Sequence, residues 1–197
     1  MAPVVQHPDE PYHHHILQTC FGDKYQAEMP QIRQNIETLA KGEILIDKTL
    51  SKVYKGQTAV FVHSSRSIWL FDDFYRLDTV EGALAVVHEA SHALLGTEDV
   101  FSKDGHFTVV KMTPYATPQG YFGYIDRDFK SLRAAAPAKT MVQNADSYRL
   151  LGHLALSGFQ DLGHDHPMSD WVIEGVPVPE KPETAKKEPA KKKGWFS

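Results

Sequence analysis

One pentapeptide constrains this chain more than any other feature. His88-Glu89-Ala90-Ser91-His92 lies inside the otherwise apolar segment from Asp78 to Leu95. Ala83, Leu84, Val86, Val87, Ala90, Ala93 and Leu94 cover most of a helical surface there, which predicts a buried helix. Asp78 can cap its start, Glu81 stands three residues later as in a capping box, and Gly96 takes the place of a C′ glycine. Side chains four apart share a helix face, so His88 and His92 can turn two imidazole nitrogens to one tetrahedral zinc. Glu89 is rotated about 100° from His88, near such a metal but not on it, where it can take a proton from water. Read instead as plain core polar residues, the three would each need a partner to repay their burial.

The rest of the chain is consistent with a single globular domain. It has 197 residues, 42% hydrophobic and 23% charged. No apolar run approaches the ~18 residues of a membrane helix. Met1 to His15 holds three prolines, two acids and four histidines. It reads as a flexible lead-in without the apolar stretch of a secretory signal. Cys20 is a lone cysteine, so no intrachain disulfide forms and synthesis in a reducing compartment is expected. From Pro177 to Ser197, six lysines against three glutamates give +3, so the net charge of -4 leaves -7 on the remainder. An acidic body argues against nucleic acid as a partner, and the Pro/Lys-rich end reads as a disordered tail. The expected organisation is therefore a lead-in over 1–15, a folded domain over 16–176 and a tail over 177–197.

Helical spacing of Met29, Ile32, Ile36 and Leu39 predicts a helix over Asp23 to Ala40, stopped at Lys41-Gly42. Ile44, Leu45, Ile46, Leu50 and Val53 suggest a second short helix or an irregular packed stretch. Thr58 to Val62 and Ile68 to Phe71 read as neighbouring strands around a turn at Ser64 to Ser67, and Phe107 to Met112 as a third strand. A last helix is expected over about Thr140 to Leu156. His13, His14 and His15 are adjacent and cannot all enter one well-formed metal site. His164-Asp165-His166 reads as a polar loop, and His153 as a packed histidine.

A catalytic zinc needs a third protein ligand and one open position. The H-x-x-G-x-x-H continuation fails, because Leu95 and Glu98 occupy the glycine and histidine places. Three apolar residues separate the second histidine from Gly96-Thr97-Glu98-Asp99. H-E-x-x-H followed closely by G-T-x-D resembles the aspzincin metallopeptidases, the deuterolysin and peptidyl-Lys metalloendopeptidase family. Asn144-Ala145-Asp146-Ser147-Tyr148 resembles that family's N-A-D-x-Y segment, and the likeness spans Phe21 to Leu156. It implies an α+β, zincin-like single domain with a small β-sheet, the H-E-x-x-H helix and a C-terminal helix closing the cleft. It also implies Zn2+ held by His88, His92 and Asp99, with Glu89, already placed by helix geometry, as general base; Asp104 and His106 are the replacement ligands if Asp99 points away.

Two departures stand out. The family's G-T-x-D-x-x-Y-G continuation meets Ser102 and Lys103 here. A turn-rich insertion over about Phe101 to Gly120 moves the expected oxyanion-stabilising tyrosine to Tyr124, with Tyr121 in reserve. In lysine-specific relatives Asp146 belongs to an acidic substrate pocket with a glutamate three residues on. Arg149 stands there instead, placed to neutralise Asp146. Asp146 is thus expected either to bind substrate without a fixed lysine preference or to be structural.

The implied activity is hydrolysis of peptide bonds in a protein or peptide substrate. An exported bacterial effector is one setting: cytoplasmic as made, leaving by a signal-independent route, with export machinery or an inhibitor protein as partner. A peptidoglycan-directed metallopeptidase and a non-catalytic zinc-binding interaction module are the alternatives.

Overall fold

The computed structural model describes residues 1–48, 58–103, 106–110 and 126–157. At its centre is the histidine-bearing helix, α4 (Thr79–Leu95). Asp78 caps it by accepting from the Val80 and Glu81 amides, both at 2.9 Å. Gly96 ends it in the left-handed region at φ 67°, which other residues rarely adopt. One side of α4 packs on α3 (Met29–Lys41) and α7 (Ala145–Ser157), the other on two strands. Val87 and Leu95 join the larger core, while Val86 and Ala90 join the smaller core beneath the sheet. That two-sided packing is why the helix is apolar nearly all round. Gly42 lets α3 pass close to its end: a Cβ there would sit 2.5 Å from Leu94 Cδ1.

The three-stranded sheet has the order β1-β3-β2. Its strands are β1 (Leu45–Lys48), β2 (Ala59–Val62) and β3 (Ser67–Leu70). β2 and β3 form the expected antiparallel pair, with Phe61 opposite Ile68. The expectation of a helix or irregular stretch after Ile44 is overturned, since β1 runs parallel to β3. Leu45 and Ile46 are 60% and 46% exposed, so this apolar run marks an edge strand rather than core. Leu50 and Val53 lie outside the described residues. A separate antiparallel pair joins β4 (Asp99–Lys103) to β5 (His106–Val110), which covers part of the predicted third strand.

The flexible lead-in is also overturned. Ten of residues 1–15 are helical, five in α1 (Ala2–Gln6) and five in the first half of α2 (Pro11–Phe21). Pro3 and Pro11 sit in the first helical positions, where no amide proton is needed, so they start helices instead of breaking them. Val4, Val5, Ile16, Leu17, Cys20 and Phe21 enter the larger core. The helix expected from Asp23 begins as a 3-10 turn at Tyr25–Glu28 before α3.

α5 (Asp126–Ala135) carries Phe129 and Leu132 into the same core. The single last helix is broken in two, α6 (Ala138–Val142) and α7. Between them Asn144 forms a parallel bridge with Glu98. Backbone groups spent on that bridge cannot continue a helix. The predicted tail over 177–197 lies outside the described residues. The architecture is α+β, a mixture of helices around one small sheet and a hairpin.

Candidate metal centre

His88 and His92 stand one turn apart on α4, with ring centroids 4.9 Å apart and planes at 85°. His88 is buried and its Nδ1 lies 2.9 Å from Asp146 Oδ1, while His92 Nδ1 lies 2.7 Å from the Thr97 carbonyl. A carboxylate and a carbonyl can only accept, so both Nδ1 atoms carry the proton. The two Nε2 atoms face each other at 3.2 Å.

Asp99 reaches the same point from the chain that continues past the helix. The Gly96 turn reverses direction, and Thr97 then locks onto α4. Ser91 Oγ donates to the His88 carbonyl at 2.7 Å, so the hydrogen in its 2.7 Å contact with Thr97 comes from the threonine hydroxyl. Next, the Glu98 amide donates to the Gln143 carbonyl and the Ala145 amide to the Glu98 carbonyl. The Val100 amide donates to Asn144 Oδ1 at 3.3 Å. The α6–α7 junction thus clamps the residues on either side of Asp99. Its Oδ1 stands 3.2 Å from His88 Nε2 and 3.5 Å from His92 Nε2, buried and without a hydrogen bond.

These separations carry the test of fit. Ligands about 2.0–2.1 Å from a tetrahedral zinc lie roughly 3.3–3.4 Å from one another. The three observed spacings, 3.2, 3.2 and 3.5 Å, match that tetrahedral edge. Two imidazole nitrogens and a carboxylate turned inward this closely need a proton or a metal cation between them to offset lone-pair repulsion. Among the described residues, His88, His92 and Asp99 form the group whose donor atoms converge.

Protons feel the same field. Burial pushes the His88 imidazole down, but Asp146, Asp99 and Glu89 outweigh it and hold its pKa well above the usual value. His92 is likewise raised, against burial, by Asp99 and the Thr97 carbonyl. Burial pushes the Asp99 carboxyl up, yet the two histidines hold it well below the ordinary carboxylate range. The carboxylates that raise both imidazoles give the cluster a negative potential, which suits a cation.

Glu89 stands beside the group, half-buried, its Oε2 accepting from the Phe61 amide of β2 at 2.6 Å.

The solved structure of a zinc peptidase from Grifola frondosa matches this chain with a TM-score of 0.52 and 20% identity. The match covers 79% of this chain and 86% of that one. The chain shares the fold of that structure. No protein-family model matches it, and no curated protein matches it by sequence. The likeness is therefore one of backbone architecture, and the chemistry rests on the residues of the site itself.

Other expected residues fall differently. For Asp146 the sequence leaves two roles open, substrate binding or structure; the side chain is 8% exposed and turned inward onto His88. Arg149 does not neutralise it as expected; its guanidinium lies 3.3 Å from Glu81 Oε2 on α4. Tyr124, Tyr121, Asp104 and His164-Asp165-His166 lie outside the described residues, and His106 opens β5. Of the N-terminal histidines, His13 bonds the His7 carbonyl and His14 the Tyr25 hydroxyl. Sequence reasoning passes over the structural parts played by Ser91, Thr97 and Asn144, although all three stand inside the motifs. Phe61 acts through its backbone amide, and a backbone donor leaves no signal in residue identity.

Proposed function

We propose that this chain is a zinc-dependent endopeptidase, with zinc held by His88, His92 and Asp99 and with Glu89 as general base. The observation that carries this reading is the convergence of three donor atoms at tetrahedral spacing, with a carboxylate on the adjoining helix position. Asp146 and the Thr97 carbonyl support it by accepting from each Nδ1 and so turning each Nε2 inward, the outer-shell arrangement that metal-ligating histidines need. Zinc, when bound, acidifies water and polarises a carbonyl oxygen.

The residues do the remaining work. Glu89, held through Oε2, takes the proton of the attacking water on its other oxygen. It then delivers that proton to the amine nitrogen as the peptide bond breaks. Asp99 supplies the third donor of the site. Tyr124 is assigned, from the sequence resemblance, to the oxyanion that develops on the former carbonyl.

Glu89→Gln tests the reading, because it keeps the shape and loses the base. Zinc stoichiometry should stay at one while turnover of a mixed peptide library falls by about 10²–10⁴-fold. Full activity in that variant, with zinc bound as in the parent, would falsify the assignment.

A further inference from the structure

We propose that the backbone amide of Phe61 is a positioning group for Glu89, so that the rim of the sheet as well as the helix sets where the carboxylate stands. This rests on the reading of Glu89 as the base. The Phe71 amide donates to the Thr58 carbonyl, and β2 continues from there antiparallel to β3 with Phe61 opposite Ile68. Backbone groups of alternate residues in an antiparallel pair turn toward the partner. Thr58, Val60 and Val62 therefore address β3, while Ala59 and Phe61 address the free side. Among the described residues β2 is an end strand of its sheet, and no described strand pairs with the Phe61 amide. Its acceptor is Glu89 Oε2 at 2.6 Å, 28 residues further along the chain.

The consequence is geometric. Glutamate has three rotatable side-chain bonds, and its position on α4 fixes only the first atom. A charge-assisted bond from a strand amide selects one placement among those rotamers. It occupies one carboxylate oxygen and leaves the other to exchange protons. A preorganised base avoids the reordering that a free side chain undergoes at every turnover. An alternative use of the same contact is protection of an exposed strand edge by a charge, without any effect on reaction.

Zinc-loaded full-length protein separates these. Phe61→Pro removes the amide proton on a free edge, where proline is tolerated and the β3 ladder is untouched. Phe61→Leu keeps the proton and measures what the lost ring costs. The expected result is a kcat about tenfold or more lower for Phe61→Pro than for Phe61→Leu, with KM and zinc stoichiometry equal in the two. Equal kcat values would overturn the proposal and leave edge protection as the role of the contact. A second readout needs no turnover and covers the case in which Phe61→Pro does not fold. The Phe61 amide resonance should be strongly downfield and slow to exchange, and Glu89→Ala should remove both properties. An unchanged resonance in that variant overturns the proposal as well. Absence of peptidase activity in the unaltered protein would instead overturn the functional reading.

Discussion

His88 Nδ1 meets Asp146 Oδ1 at 2.9 Å across 58 residues of chain, and both side chains are nearly sealed from solvent. The contact ties the central turn of α4 to the first turn of α7 and fixes the ring so that Nε2 points at Asp99. Removing the carboxylate frees the imidazole to rotate and to carry its proton on either nitrogen. Asp146→Ala should therefore weaken zinc binding by about 10–100-fold. Competition with a chromogenic chelator measures it, and parental affinity in the variant would disprove the coupling.

Proton competition sets a pH dependence with a definite sign. The His88 pKa is raised above its ordinary 6.5 in the folded, metal-free protein, so the bound proton persists above that pH. Its contribution to metal-free stability is fully present below 6.5 and is lost as pH rises through the folded-state pKa. Zinc needs the bare nitrogen, so its apparent affinity moves the opposite way. The rise in melting temperature on adding zinc should be small near about pH 5.5 and grow toward about pH 8. A rise that is constant across that range would contradict the proton–zinc exchange.

Tyr148 tests the larger core. Its hydroxyl accepts from the Asn35 amide on α3 and donates to the Val142 carbonyl at 2.8 Å, and burial pushes its pKa up to about 12. Tyr148→Phe strands both partners away from water. Urea unfolding should show a loss of about 1–3 kcal/mol, with zinc stoichiometry retained. A change below about 0.5 kcal/mol would mean that water reaches Asn35 in the folded state.

Cys20 is fully buried on α2, and burial pushes its thiol far above the ordinary range. Only the thiolate alkylates, so native protein should react with iodoacetamide at least about a hundredfold more slowly than urea-unfolded protein. Mass spectrometry reads the adduct. Rapid native labelling at mildly alkaline pH would show that α2 detaches readily and that the N-terminal helices are not part of the stable core.

Local chemistry makes much of the centre legible. The limits of α4 follow from Asp78 and Gly96, and the shared face of His88 and His92 follows from helical pitch alone. The β2–β3 pair is visible in its β-branched and aromatic residues and in the turn between them. The N-terminal helices are misread when proline and histidine are weighed as breakers, whereas Pro3 and Pro11 sit where a helix needs no donor. β1 is misread because its apolar run looks like core, and only a partner strand distinguishes an edge from an interior. The split between α6 and α7 is hidden because Asn144 leaves the helix to bridge Glu98, far back along the chain.

Sequence by itself determined the spacing of the two histidines and the turn after them, since both arise from interactions within four residues. Tertiary structure set the distances at which Asp99, the third ligand implied by the G-T-x-D resemblance, meets the two rings, and it alone decided that Asp146 faces His88 and not Arg149 and that Phe61 holds Glu89. Each of those depends on the α6–α7 junction or the sheet edge being brought against α4. Packing of distant segments sets such distances, and no local spacing rule contains them.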